Sequence, residues 1–219
     1  MLSTPLCQIS NLTFSVPTAE VHAYVRATLP PPPARILEVG AGSGELADAL
    51  REAGYDVLAI DPAGGPGVVQ IPLLEVEGTF DAAVAIVSLH HVEPLAESCA
   101  HLAGLLVPGG TLVVDELDVG RYDERVTTWW LHQRRAAGHE DHHDAASILD
   151  GMRSHIHPLD AVREALAPHF ETPEPVRGPY LHRWHLPPGL RENEERLIGE
   201  GRLPATGARF VSTRRPAPS

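Results

Sequence analysis

The run Arg35-Ile-Leu-Glu-Val-Gly-Ala-Gly-Ser-Gly-Glu-Leu-Ala-Asp-Ala-Leu50 constrains the fold of this chain more than any other feature. It passes from an apolar strand pattern through three alternating glycines, Gly40, Gly42 and Gly44, directly into a helical pattern. Glycine takes backbone angles that side chains forbid and lets a ligand approach the main chain. A helix opening at such a turn carries N–H groups that have no partner within the helix. Strand, glycine turn and helix start together predict a nucleotide cradle. The spacing narrows the ligand: a dinucleotide fingerprint reads G-x-G-x-x-G, whereas Glu45 stands where its third glycine would fall. The pattern here is G-x-G-x-G preceded by an acid, Glu38.

Strand-like runs at 35–39, 56–60, 80–87 and 111–117 are nearly continuous in Val, Ile, Leu and Ala, as strands buried on both faces should be. Helical patterns over 44–53 and 93–107 separate them, so the alternation predicts a parallel sheet. The segment 62–79 leaves room for a small helix and a short third strand at 68–71. Ahead of the sheet, an amphipathic stretch at 18–29 predicts a short N-terminal helix, packed over the ligand mouth or capping the sheet, which with the stiff Pro30-Pro-Pro-Pro33 linker makes up residues 1–33. Past 117 the pattern changes to two helical pieces, 122–137 and 144–153, in an insertion spanning 119–157. A helix at 159–166, a strand at 176–186, a helix at 190–198 and a strand at 208–213 follow, and Pro179 assigns the 176–186 strand to a sheet edge.

The 219 residues suit one domain with an appended element, and 43% hydrophobic content supports a sizeable core. A net charge of −12 with only 17 Lys and Arg excludes a broad nucleic-acid groove. Cys7 and Cys99 make no disulfide framework, no opening segment has a signal-peptide pattern, and no apolar run reaches the ~20 residues of a membrane span. A cytoplasmic protein acting alone or as a homodimer is expected.

The motif at 38–44 resembles the first motif of class I S-adenosylmethionine-dependent methyltransferases of the small-molecule, type 11-like kind. Asp61, 17 residues after Gly44, ends the second strand-like run at the offset of a ribose-binding acid. The stretch Thr79-Phe-Asp-Ala-Ala-Val-Ala-Ile-Val-Ser-Leu-His-His-Val92 resembles the family's fourth strand and following turn. Leu105-Leu-Val-Pro-Gly-Gly-Thr-Leu-Val-Val-Asp-Glu116 resembles its helix end, Pro-Gly-Gly turn and fifth strand. The match covers roughly 35–117 and, more faintly, the C-terminal end. It implies a Rossmann-like α/β fold: a seven-stranded, mostly parallel sheet with an antiparallel last strand, helices on both faces and a helical lid inserted after the fifth strand. It also implies S-adenosylmethionine as cofactor and a small-molecule acceptor.

By that resemblance the cofactor is held by Glu38, Gly40, Ala41, Gly42, Ser43, Gly44, Asp61, Pro62 and Ser88. Glu38 would orient the methionine amino group and Asp61 the ribose hydroxyls. The family's acid for the adenine amino group has no clear equivalent in 70–77; Gln70 or backbone would replace it, with Leu73 against the ring. Ser88-Leu-His-His91 is not the Asn-Pro-Pro-Tyr type sequence of many amino-group and nucleobase methyltransferases, which weakens that substrate class. His90 and His91 become the catalytic candidates, imidazole being poised for proton transfer near neutral pH, with packing the competing explanation. Glu116, Trp129 and His132 are candidates for acceptor contacts. His139-Glu-Asp-His-His143 fits the zinc-protease spacing, but Gly138 and charged neighbours make it an exposed loop, so no metal site is expected. Two rival functions on the same fold are a scaffold catalysing a non-methylating step such as cyclisation, and an inactive cofactor-binding partner subunit.

Overall fold

The computed structural model describes residues 19–139, 144–184 and 186–216. Among these, the apolar runs become strands β1 (Arg35–Val39), β2 (Asp56–Ile60), β3 (Phe80–Ile86) and β4 (Leu106–Leu117), with β1 pairing β2 and β3, and β3 pairing β4, all in parallel. Strands β5 (Phe170–Glu171), β6 (Val176–Gly178) and β7 (Gly207–Arg214) complete a seven-stranded sheet ordered β2-β1-β3-β4-β7-β5, with β6 on β7. The last strand runs antiparallel to β5, as expected of a Rossmann-like methyltransferase sheet.

The two sheet faces are separated by the side-chain alternation of the strands. Leu37, Ala83, Ala85, Leu112 and Val114 pack with Leu102 of α3 (Leu95–Leu105) and Leu159, Val162 and Leu166 of α6 (Leu159–Leu166). On the other face, Ile36, Val84 and Val113 pack with Val21 and Val25 of α1 (Ala19–Thr28) and Leu46 and Leu50 of α2 (Glu45–Glu52). The N-terminal helix therefore covers the sheet on the α2 face. Each such Leu or Val, fully removed from water, contributes about 1.5–3 kcal/mol.

Four sequence expectations change. The third strand at 68–71 is reduced to one parallel bridge, Ile60 to Val69, followed by a 3-10 turn at Leu73–Glu75; the Gly and Pro run before it and Pro72 after it leave no ladder to extend. The helix over 93–107 is shorter: Pro94, itself extended, serves as N-cap, and Leu106 already pairs with Phe80. The Pro-Gly-Gly turn is absorbed into β4 as an irregularity between the Phe80–Leu106 and Ala82–Thr111 pairs. There a Cβ on Gly110 would lie 2.8 Å from the Val107 carbonyl oxygen. The strand over 176–186 stops at Gly178, and Leu181–Arg183 form a 3-10 turn, so Tyr180, His182 and Trp184 do not alternate along a strand face.

The described residues form two compact units. The first, Leu117–Pro158 with Arg177–Gly207, holds α4 (Glu124–Ala136), α5 (Ala145–His155) and α7 (Arg191–Gly199). The insertion thus shares a core with the segment before β7. Trp130 stacks on Trp184 at 4.4 Å between centroids and donates its indole N–H to the Trp184 carbonyl at 2.8 Å; Tyr122 meets Trp184 edge-on. Asp123 caps α4 by accepting from the Arg125 and Val126 N–H groups. The second unit holds the chain up to Glu116, Leu159–Val176 and the chain from Ala208. No helix of the described residues is long and apolar enough to cross a membrane.

Within the second unit, Arg209 of β7 fastens α1. Its Nε donates to Asp115 and its Nη1 to Glu20, each at 2.7 Å, and the guanidinium lies 5.0 Å from the Tyr24 ring centre. Tyr24 in turn donates to the Phe210 carbonyl, and burial pushes its hydroxyl up to about 12. Because Asp115 is 1% exposed, Arg209→Ala removes the cation from a buried carboxylate. A urea titration should show a loss of about 3 kcal/mol, and hydrogen exchange should speed up in α1. A loss under about 0.5 kcal/mol would mean that hydrophobic contact alone holds the helix.

Candidate active site

Parallel pairing brings the carboxyl ends of β1, β2, β3 and β4 to one edge, through the pairs Val39–Ile60, Val39–Ala85 and Ile86–Asp115. Open α/β sheets place their ligand crevice at such an edge. Here the edge gathers Glu38, the glycine turn, Asp61 and the Ser88–His91 turn.

The glycine turn is left-handed at each of its three glycines, with φ +71° at Gly40, +53° at Gly42 and +82° at Gly44. The N–H groups of Gly40 and Ala41 both donate to the Ile60 carbonyl at 2.9 Å, and Gly44 then opens α2. Gly40 is needed for space as well as conformation, since a Cβ there would lie 2.4 Å from the Ser88 Cβ. Gly42 and Ser43 are exposed; Ala41 and Gly44 are buried.

Glu38 sits under this turn, 3% exposed, and its Oε2 has no hydrogen-bond partner. Burial pushes its carboxyl up to about 8, against the nearby Arg51 guanidinium and the Ala47 N–H, which favour the charged form. Asp61 accepts from the Gly42 N–H at 3.0 Å through one oxygen and from the Ala63 N–H at 2.8 Å through the other. It is thus a brace for the loop, with a second lone pair left on each oxygen. Pro62 is exposed, and its carbonyl accepts from the Gln70 side chain at 3.1 Å, so Gln70 staples the loop; Leu73 is buried.

Glu116 differs from the expected acceptor contact. It is 0% exposed, and its Oε1 accepts the Ser88 and Leu89 N–H groups at 2.9 and 2.8 Å, while its Oε2 lies 2.6 Å from His90 Nδ1. Its partners are a turn and a histidine. A carboxylate can only accept, so His90 Nδ1 carries the hydrogen. His90 is 1% exposed and His91 is exposed, with the two rings 4.1 Å apart. The turn is entered through Val87 at φ +53°, a conformation costly for a β-branched residue, with its N–H held by the Asp115 carbonyl at 2.8 Å. Ser88 is buried, and its hydroxyl has no hydrogen-bond partner.

Trp129 and His132 lie in the other unit, where they line an open cavity of about 650 Å³ between α4 and α7, with Asn193, Leu197 and Arg196. The same unit contains a group that sequence reasoning missed. Glu194, 0% exposed, accepts from the Tyr180, Leu181 and His182 N–H groups and sits 2.8 Å from His182 Nδ1. Of the His139–His143 pattern, positions 140–143 lie outside the described residues. Among the described residues no three His, Cys, Asp or Glu side chains gather as metal ligands.

A family model described as methyltransferase domain matches residues 16–154. The ubiquinone biosynthesis O-methyltransferase of Xanthomonas campestris pv. campestris (strain B100) is 36% identical over 119 residues, taking in 43% of this chain and 48% of the relative. The chain spans about half the length of the curated relatives it matches. Among solved structures, the Burkholderia thailandensis 1,6-didemethyltoxoflavin N1-methyltransferase, with its substrate and S-adenosylhomocysteine bound, shares the fold at TM-score 0.52 and 19% identity, over 90% of this chain and 76% of that one. The [4+2]-cyclase SpnF does so at TM-score 0.57 and 16% identity, over 91% and 82%. With the family model spanning more than half of the chain and the glycine turn, acids and sheet order of that fold in place, the chain belongs to the class I S-adenosylmethionine-dependent methyltransferase family.

Proposed function

We propose that this chain binds S-adenosylmethionine at the carboxyl edge of β1–β4 and methylates a hydroxyl oxygen of a small-molecule acceptor. The observation that carries the cofactor reading is Glu38, a buried acid with one unpartnered oxygen beneath three left-handed glycines. The residues present fit the group. Glu38 would take the methionine ammonium, the exposed Ser43 backbone N–H the carboxylate end, and the remaining lone pairs of Asp61 the ribose hydroxyls. When bound, the cofactor supplies a methyl already activated on a sulfonium, so the protein's part is to align the acceptor, exclude water and receive a proton. The hydroxyl is supported by the O-methyltransferase name of the curated relatives and by Ser88-Leu-His-His91 after β3. The cyclisation rival rests on fold likeness alone, which does not fix function. Buried and bonded to Glu116, the acid that holds the Ser88 and Leu89 N–H groups, His90 is a positioning residue.

Calorimetry should show S-adenosylmethionine binding at micromolar Kd, about −8 kcal/mol. Glu38 with its carboxyl near 8 is mostly protonated at neutral pH, and an arriving cation favours its charged form. Binding at pH 7 should therefore release a proton, seen as different apparent enthalpies in Tris and phosphate. Glu38→Gln should abolish that difference, and identical wild-type enthalpies would remove Glu38 from the contact. The same raised carboxyl stabilises the unliganded fold below the unfolded value of 4.5 and loses that contribution as pH rises through 8. The unliganded Glu38→Gln protein should accordingly melt higher than wild type at pH 8, with the gap closing toward pH 5.

For His90, the positioning role predicts that His90→Ala lowers stability by about 1–3 kcal/mol, since buried Glu116 loses a donor. Its single-turnover rate at saturating cofactor should fall by only a few fold. A rate loss of about 10²–10⁴ with unchanged cofactor affinity would instead make His90 the base.

A further inference from the structure

The six residues after Asp61, Pro62-Ala-Gly-Gly-Pro-Gly67, form a loop that lies directly on the glycine turn. A Cβ on Gly44 would stand 2.9 Å from the Val68 Cγ2 and 3.2 Å from the Pro66 carbonyl oxygen, and one on Gly65 would stand 3.2 Å from the Gly42 carbonyl oxygen. Turn and loop therefore meet backbone to backbone, with no room for side chains between them. Contacts this bare bury little apolar surface, and a segment with three glycines loses much conformational freedom when it is held still. The ends of the loop are anchored, by the Ala63 N–H on Asp61 and by the Ile60–Val69 bridge. Its middle needs a further tie.

Arg51, in the last turn of α2, supplies one. Its Nη2 donates to the Gly67 carbonyl at 3.0 Å and to the Val57 carbonyl of β2 at 3.1 Å, and its Nη1 donates to Asp48 at 2.8 Å. The chain at Gly67 passes so close to the guanidinium that a Cβ there would lie 3.2 Å from Nη1. One planar cation thus joins α2, β2 and the loop. A rigid fork of donors can span such a set, whereas a single ammonium cannot. The Arg51 charge also favours the ionised form of Glu38, with Asp48 opposing it and the Ala47 N–H assisting.

We propose that Arg51 is a positioning residue for the cofactor, a clamp that holds the Pro62–Gly67 loop on the glycine turn and so fixes the direction of the ribose acid, Asp61. This rests on the cofactor reading above. Asp61 is bonded to both surfaces that the clamp brings together, through the Ala63 N–H of the loop on one oxygen and the Gly42 N–H of the turn on the other. With the clamp released, the loop samples open states in which the Asp61 lone pairs have no set direction. Apparent affinity for the nucleoside then falls in proportion to the fraction of molecules still closed.

The test compares full-length wild type, Arg51→Lys and Arg51→Met by calorimetry with S-adenosylhomocysteine and with 5′-methylthioadenosine, which keeps the nucleoside and lacks the amino-acid end. Neither variant can span Gly67 and Val57, so both should bind both ligands about 10- to 100-fold more weakly. Hydrogen exchange of the unliganded variants should speed up at residues 64–69 and stay unchanged in α2 and β1. Arg51→Lys keeps the cation beside Glu38 and decides the matter alone if Arg51→Met does not fold. Binding of both ligands by Arg51→Lys within about threefold of wild type overturns the proposal. So does a loss confined to S-adenosylhomocysteine, which would assign Arg51 to the charge on Glu38, or faster exchange throughout α2 and β1, which would make it a residue of general stability. A wild type that binds no S-adenosyl ligand overturns the cofactor reading itself.

Discussion

One buried carboxylate, Glu116, organises the edge on which the site is built. It ends β4 without exposed surface and gathers donors from the turn that leaves β3. Without it, two backbone N–H groups and a ring N–H would be buried with no acceptor, each costing about 1–3 kcal/mol. The same bonds compensate the left-handed Val87, a conformation that persists only where its surroundings over-determine it. The effect reaches further, because Ser88 occupies the space that a side chain on Gly40 would need. Glu116 therefore fixes Ser88, Ser88 requires the bare Gly40, and the glycine turn delivers α2 with its N-terminus at the same edge.

Glu38 and Glu116 are both buried acids at the carboxyl edge of one sheet, yet they are partnered differently. Glu116 meets donors on both oxygens, two backbone N–H groups on one and the His90 ring on the other. Glu38 has one oxygen without a donor, and burial raises its carboxyl to about 8. A fold gains nothing by burying a carboxyl short of donors unless something else supplies them, and a ligand ammonium does so while adding the charge that favours ionisation. The asymmetry is what the proposed cofactor role of Glu38 rests on, with no appeal to sequence likeness.

The sheet was legible in the sequence because its strands are buried on both faces and read as apolar runs. Its glycine turn was legible because three left-handed residues leave little choice but glycine. Asp61 was found by spacing, although the structure shows it bracing the loop through Gly42 and Ala63 as well. What failed was long-range. The 176–186 run has the alternation of a strand, yet Glu194 draws Tyr180, Leu181 and His182 into a turn. Glu116 was placed at the right edge as a candidate acceptor contact, but its donors could not be read there, since they lie 26 to 28 positions away on another strand's exit. Trp130 was passed over for Trp129, because which tryptophan of the pair is buried depends on Trp184, 54 positions on.

The repeated Glu-His turn shows why a motif's wiring alone does not assign its role. The same carboxylate-to-Nδ1 contact orients His90 and His182, at 2.6 and 2.8 Å, so that contact alone does not separate them. Access differs, the His90 side chain being 1% exposed and the His182 side chain 12%. The anchors differ too, since Glu116 holds two backbone N–H groups beside the ring and Glu194 holds three. Each acid keeps those backbone donors whatever its ring does, so the wiring accounts for the shape of the turn before it accounts for any chemistry at the ring.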